Sequence, residues 1–184
     1  MKIFSVIVLG LIITFKVMAY EEANYEVVKQ NKIYEIRKYS DRLAIETITS
    51  NQGSSFRKLF NYISGDNVNK EEISMTTPVT QIEKKGGMTM QFYLPSKFNK
   101  DNTPSPSNPD VKILDIKGGY YAVIRYSGRA SDKNFTKHKE ILKNELKKNN
   151  IINLSSGIKA TYDKPFTLPM LRRNEAMFKI DINL

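Results

Sequence analysis

Cysteine is absent from the 184 residues, and histidine occurs once, at His138. The first absence excludes disulfides, thiolate metal sites, a cysteine nucleophile and a lipid-bearing cysteine behind a leader. The second excludes a histidine-built metal cluster and deprives any triad or zinc hydrolase of its partners, because those chemistries need histidine placed among other groups. No GxSxG, HExxH, Walker or GxGxxG spacing occurs in the chain. The expectation is a binding protein rather than an enzyme, stabilised by the burial of one sizeable core.

Acidic residues are also in short supply, with 19 Asp and Glu against 29 Lys and Arg, a net charge of +10. The basic residues are scattered, and neither a recognition helix nor a set of stacking aromatics accompanies them, so nucleic acid is not expected as a partner. At the N-terminus, MKIFSVIVLGLIITFKVMA places Lys2 before an apolar run from Ile3 to Phe15, with Val17 and Ala19 at the minus-three and minus-one positions of a cleavage site. This order is that of a secretory signal peptide. A membrane anchor needs about 20 uninterrupted apolar residues, and Lys16 breaks the run. Cleavage after Ala19 would leave residues 20–184 as a single periplasmic or secreted domain with no stable membrane span and 27 basic against 19 acidic residues.

Phe56, Leu59, Phe60 and Ile63 recur at i, i+3, i+4 and i+7, which makes one apolar stripe on a helix. Ser54 or Ser55 can cap its start, and Gly65 stands where a left-handed residue would end it. Before it, KIYEIRKY and LAIETIT alternate apolar with polar and read as paired strands. After it, Ile73 to Thr80 restarts as a β-branched run around Pro78, and Gly86 with Gly87 supplies a tight turn into MTMQFYLP. The stretch PSKFNKDNTPSPSNP at 95–109 reads as a surface loop long enough to serve as a flap.

The pattern then repeats. KILDIK at 112–117 echoes KIYEIR at 32–37, AVIRY at 122–126 echoes AIETI at 44–48, and a second helix over Asp132 to Lys148 carries Phe135, His138, Leu142 and Leu146 on one face with Ser131 or Asp132 as cap. Lys164–Pro165–Phe166 parallels Thr77–Pro78–Val79, and Met177–Phe178 parallels Gln91–Phe92. The fold class expected is α+β: two β-α-β-β units, about 25–95 and 110–184, related by a pseudo-twofold axis, with a curved antiparallel sheet or open barrel and two main helices. A groove between helix and sheet is then the natural place for a ligand.

ISGDN followed by EEISMTTPV, together with YEIRKY and RRNE, resembles the SOUL haem-binding family across almost the whole chain after the leader. Where that family carries a Trp after the last motif, this chain has Ala176, Met177 and Phe178. The resemblance implies a non-covalent haem or other tetrapyrrole in the groove and a role as carrier, buffer or scavenger. A haem needs apolar walls, for which Phe56, Leu59, Phe60, Ile63, Met75, Met88, Met90, Phe166, Leu168 and Met170 are candidates. It also needs cations at its propionates, for which Arg57, Lys58, Arg172 and Arg173 are candidates, Lys58 first. His138 is a weak candidate iron ligand, and Met75 or Met170 could reach iron through sulfur. Arg172, Arg173, Asn174 and Glu175 are expected to form an ion-paired corner at a strand end. The alternative ligand class is that of the GyrI-related effector-binding domains, which the paired units also resemble and which take hydrophobic, often cationic, molecules. A third reading is a protein that binds another protein through the flap or the basic face.

Overall fold

The computed structural model describes residues 20–49, 51–84 and 87–182. The proposed leader and Gly86 of the proposed turn lie outside the described residues. Two short strands, β1 (Glu21–Glu22) and β2 (Tyr25–Gln30), precede β3 (Glu35–Tyr39), β4 (Arg42–Thr49), helix α1 (Gln52–Ile63), β5 (Thr76–Thr77), β6 (Val79–Lys84) and β7 (Gly87–Tyr93). The second half runs β8 (Lys112–Ile116), β9 (Gly119–Tyr126), helix α2 (Asp132–Lys148), β10 (Ile152–Asn153), β11 (Ile158–Thr161) and β12 (Asn174–Asp181).

One curled antiparallel sheet carries the order β2-β3-β9-β12-β11-β6-β7-β4-β8, with β10 paired to the end of β12. Exchanging β3 with β8, β4 with β9, β6 with β11 and β7 with β12 turns the run from β3 to β8 into itself, so the expected pseudo-twofold is present. Its axis passes through the β6–β11 seam, where Thr80 faces Ala160 and Gln81 faces Lys159.

Two details differ from the sequence reading. KIYEIRKY and LAIETIT do not pair with each other: β3 joins β9 of the second half, while β8 joins β4 of the first. Alternation fixes which face of a strand is apolar and leaves its neighbour open. The links β3–β4 and β8–β9 pass each other in contact, with Asp41 accepting from the Gly118 amide (2.9 Å) and from Lys117 Nζ (2.7 Å). A Cβ on Gly118 would lie 2.3 Å from the Tyr39 carbonyl oxygen, so only glycine fits the crossing. Second, Lys164–Phe166 is not the counterpart of Thr77–Val79. The strand opposite β6 is β11, and residues 164–166 belong to the connection 162–173, where Pro165 and Pro169 withhold the amides that a ladder requires.

Both helices are capped by side chains. Asn51 Oδ1 accepts from the Ser54 amide, which starts α1 earlier than Ser54 or Ser55 would. Ser131 caps α2 through the Asn134 amide. Gly65 follows α1 at φ +103°, as a left-handed terminator should. Leu59, Tyr62 and Ile63 bury against Leu43, Ile45, Met90 and Phe92 of β4 and β7. Leu142 and Leu146 of α2 bury against Ile36, Ile124, Ala176 and Phe178. The opposite face of the sheet holds a third cluster around Tyr39, Tyr121, Val123, Ala160 and Met177. The 95–109 loop packs beside α1, with Tyr62 Oη donating to the Pro104 carbonyl at 2.7 Å and Phe98 in the α1 core.

Candidate functional site

Where α1 leaves the seam, a largely apolar cleft of about 550 Å³ opens between the helix, β6, β7 and the 162–173 connection. Phe56 and Phe60 form its α1 wall, their rings stacked at 5.9 Å and 14°, and Phe56 meets the Phe92 ring edge-on at 5.2 Å. Met75, Val79 and Met90 line the sheet side; Tyr20, Tyr162, Lys164, Pro165 and Arg172 close the far side. The volume is within the range of small-molecule pockets. The cleft exists because the two halves are closed differently. Residues 85–86 suffice to join β6 to β7, whereas β11 and β12 are joined by 162–173, which folds over toward α1 and adds a wall. Beside α2 the corresponding hollow, about 360 Å³, is polar and charged, with Phe135, Lys139, Lys143 and Ser155 around it.

Gln81 and Lys159, neighbours across the seam, line both hollows. The Lys159 ammonium is nearly buried and bonded to Asp132 at 2.8 Å. That hydrogen bond, ahead of opposing burial, holds the Asp132 carboxyl below its usual range. Arg172 donates through Nε to the Thr167 carbonyl (2.9 Å) and through Nη2 to the carbonyls of Lys164 (3.2 Å) and Pro165. Its guanidinium therefore fixes the outer wall.

A buried ionic knot anchors the same wall. Arg37 clamps Glu175 with two bonds of 3.0 and 3.2 Å, Tyr162 Oη donates to Glu175 at 2.7 Å, and Arg173 Nε does so at 3.1 Å. Arg173 also reaches Glu22 at 2.8 Å and lies 3.7 Å over the Tyr162 ring. Asn174 Nδ2 donates to the Gly128 carbonyl. This is the ion-paired corner expected of Arg172 to Glu175. Burial pushes the Tyr162 phenol far up, with the field of Glu175 adding to it. For Arg37, burial disfavours the charge, but Glu175 outweighs it and holds the guanidinium more firmly protonated than usual.

Of the residues singled out from the sequence, Phe56, Phe60, Met75, Met90 and Arg172 meet at the cleft. Leu59 and Ile63 do not, because the stripe is wider than one surface and its other edge is spent on the core. Lys58 points away and pairs with Asp110 at 2.6 Å. Phe166, Leu168 and Met170 sit on the 162–173 connection with their side chains in solvent. Met88 lines the α2 hollow, Arg57 is exposed and Arg173 belongs to the ionic knot. His138 is in the other half, stacked on Tyr126 at 4.0 Å with Nδ1 2.8 Å from the Asn134 carbonyl, and takes no part in the cleft. No group of three or more His, Cys, Asp or Glu among the described residues is placed to hold a metal. Tyr20, Val79, Tyr162 and Lys164 also line the cleft, and of these only Lys164 carries a signal in the sequence, as a cation beside a proline and an aromatic.

The sequence pattern that defines the SOUL heme-binding protein family matches residues 20–179. Mouse heme-binding protein 2 is 28% identical over 176 residues, covering 88% of this chain and 84% of the relative. In fold, the chain is similar to an uncharacterised conserved protein from Listeria innocua (TM-score 0.61, 8% identity, 82% of this chain and 93% of the other). It is also similar to the EcmrR C-terminal domain (0.59, 13%, 85% and 98%) and to a Listeria innocua hydrolase (0.59, 7%, 84% and 94%). At these identities the structural likeness speaks to the fold alone.

Proposed function

The chain belongs to the SOUL heme-binding family, and from that premise we propose that it holds haem or another tetrapyrrole non-covalently in the α1 cleft, as an exported carrier, buffer or scavenger. The observation that carries the reading is the pair of stacked, part-exposed rings of Phe56 and Phe60 facing Met75 and Met90 across an open apolar slot. A planar guest gains most from such a slot, since ring faces and thioethers both adapt to a flat π surface. Lys164 at the rim offers its ammonium to a propionate; Arg172 shapes the rim by holding the backbone around Lys164.

His138 lies in the other half and supplies no ligand to the cleft, so the reading is retention by packing, in which the Met75 thioether of the lining acts as part of the wall. Binding is proposed in preference to catalysis because three of the charged groups of the cleft are committed, Lys159 to Asp132, Arg172 to carbonyls and Asp163 to the Arg173 amide, which leaves Lys164 to meet a guest. A cationic lipophilic guest, the expectation from the GyrI-related alternative, would meet Lys159, Lys164 and Arg172 against Asp163 among the lining residues. An anionic guest is favoured by that balance. Absorbance titration of the chain from Tyr20 onward with haem and with iron-free porphyrin tests the reading. Saturable Soret shifts with similar affinity for both are expected; no saturable change at micromolar haem, or displacement of haem by lipophilic cations at equal concentration, would overturn it.

A further inference from the structure

Residues 164–172 present their large apolar side chains to solvent instead of to the core. Phe166 is 82% exposed, Met170 73%, Leu171 70% and Leu168 59%. Four such side chains exposed within six residues make an apolar prominence of the segment, which a protein surface rarely carries without a use. The backbone beneath them is pinned. Arg172 holds the Lys164, Pro165 and Thr167 carbonyls, the Gly128 amide donates to Pro169 at 2.8 Å, and the Leu171 amide donates to Leu168 at 3.0 Å. The exposure is thus built into the loop, with the ordering cost met within the fold.

Around this prominence the charge is positive. Arg129 and Lys164 flank it, Asp163 is the sole carboxylate among the described residues lining the adjoining cleft, and the chain carries +10 overall. Tyr20 also lies here, with the Lys164 ammonium 5.7 Å from its ring. We propose that the 164–172 loop is a membrane-docking element that inserts its apolar side chains into an anionic lipid surface and sets the mouth of the α1 cleft against the bilayer. Apolar insertion combined with basic flanks is the two-signal arrangement that gives reversible interfacial binding. A second copy of the chain fits less well, because it would bring Arg129 and Lys164 of one molecule against those of another.

The test needs no haem, so its outcome is separable from that of the tetrapyrrole reading. The chain from Tyr20 onward carries the described residues of all three apolar clusters, and a cooperative urea transition is the check that it is folded. Tryptophan is absent from the sequence, and Phe166→Trp therefore supplies a single reporter. With vesicles of phosphatidylcholine containing about a third phosphatidylglycerol, the emission should shift to the blue and the protein should co-sediment, both weakening as salt rises. Substituting Phe166, Met170 and Leu171 by Ser should lower partitioning by at least about tenfold. Lys164→Glu should lower it by about fivefold or more. Both variants should keep the parent's denaturation midpoint within error. An unshifted emission with no sedimentation, equal binding of the Ser variant and the parent, or a mass doubling without vesicles that the Ser variant abolishes would each overturn the proposal.

Discussion

Replacing Phe56 and Phe60 by alanine should weaken tetrapyrrole binding while leaving most of the stability, whereas Leu59→Ala should do the reverse. The three residues share one helical stripe but not one environment: Phe56 is 42% and Phe60 47% exposed, and Leu59 is fully buried. Burying a Phe side chain completely is worth about 1.5–3 kcal/mol. Roughly half of that is still available to a guest, about 1 kcal/mol per ring, and stacking on a planar ligand adds ~0.5–1.5 kcal/mol. Loss of one ring then costs about 1.5–2.5 kcal/mol of binding, or roughly ten- to sixtyfold in affinity. The two rings touch, so their losses will not add simply, and at least roughly a hundredfold is expected for the pair. In folding, each Phe→Ala gives up only the buried half, about 1 kcal/mol. Leu59→Ala, by contrast, opens a core cavity and should cost about 2–5 kcal/mol. Haem titration followed by absorbance, with urea denaturation of the same preparations, reads both quantities. Unchanged affinity in the double Phe variant, or lost affinity in Leu59→Ala at unchanged stability, would refute the division of the stripe.

Glu175→Ala should destabilise by about 3–5 kcal/mol in urea denaturation, because it leaves the buried Arg37 and the half-buried Arg173 without their shared carboxylate. Arg172→Ala frees the carbonyls of Lys164, Pro165 and Thr167; limited proteolysis should cut within 162–173 several-fold faster, with global stability changed by less than about 1 kcal/mol. Burial, helped by the field of Glu71, pushes the Tyr62 phenol up to about 12. The unfolded phenol ionises near 10, so the unfolded state loses its proton first. The Tyr62 contribution is then complete below about pH 10 and is lost as pH rises toward 12. Urea midpoints measured from pH 8 upward should fall across that window, and Tyr62→Phe should make the fall shallower, with Tyr39 and the other buried phenols keeping the rest of it.

Much of the fold was legible in the sequence, for reasons specific to each element. The bounds Asp132–Lys148 of α2 came through because a serine cap, an apolar face and basic residues at the end all agree. The first turn of α1 did not, since Gln52 to Ser55 have no apolar residue to extend the stripe N-terminally. The repeat could be read in β3 with β8 and in β4 with β9, yet the exchange of partners between halves could not, because neighbour choice is a tertiary property. In the candidate site, the stripe placed Phe56 and Phe60 beside Leu59 and Ile63 without saying which edge the sheet would cover. Its place beside the stripe put Lys58 ahead of Arg172 as a cation for a propionate; the structure spends Lys58 on Asp110 and Arg172, at the cleft, on backbone carbonyls. Phe166, Leu168 and Met170 alternate as a strand wall would, and Pro165 and Pro169 are the evidence against it.

Each half of the sheet lends a strand to the other: residues 35–39 pair with β9 of the second half, and 112–116 pair with β4 of the first. Each half on its own would therefore present an open edge with its complement missing. A break in the backbone within 95–109 should yield two fragments that reassemble when mixed, each recognising the other by the strand it lends. Two identical halves would satisfy the same arrangement as a symmetric dimer, so the duplicated chain carries within one polypeptide the logic of a strand-swapped pair.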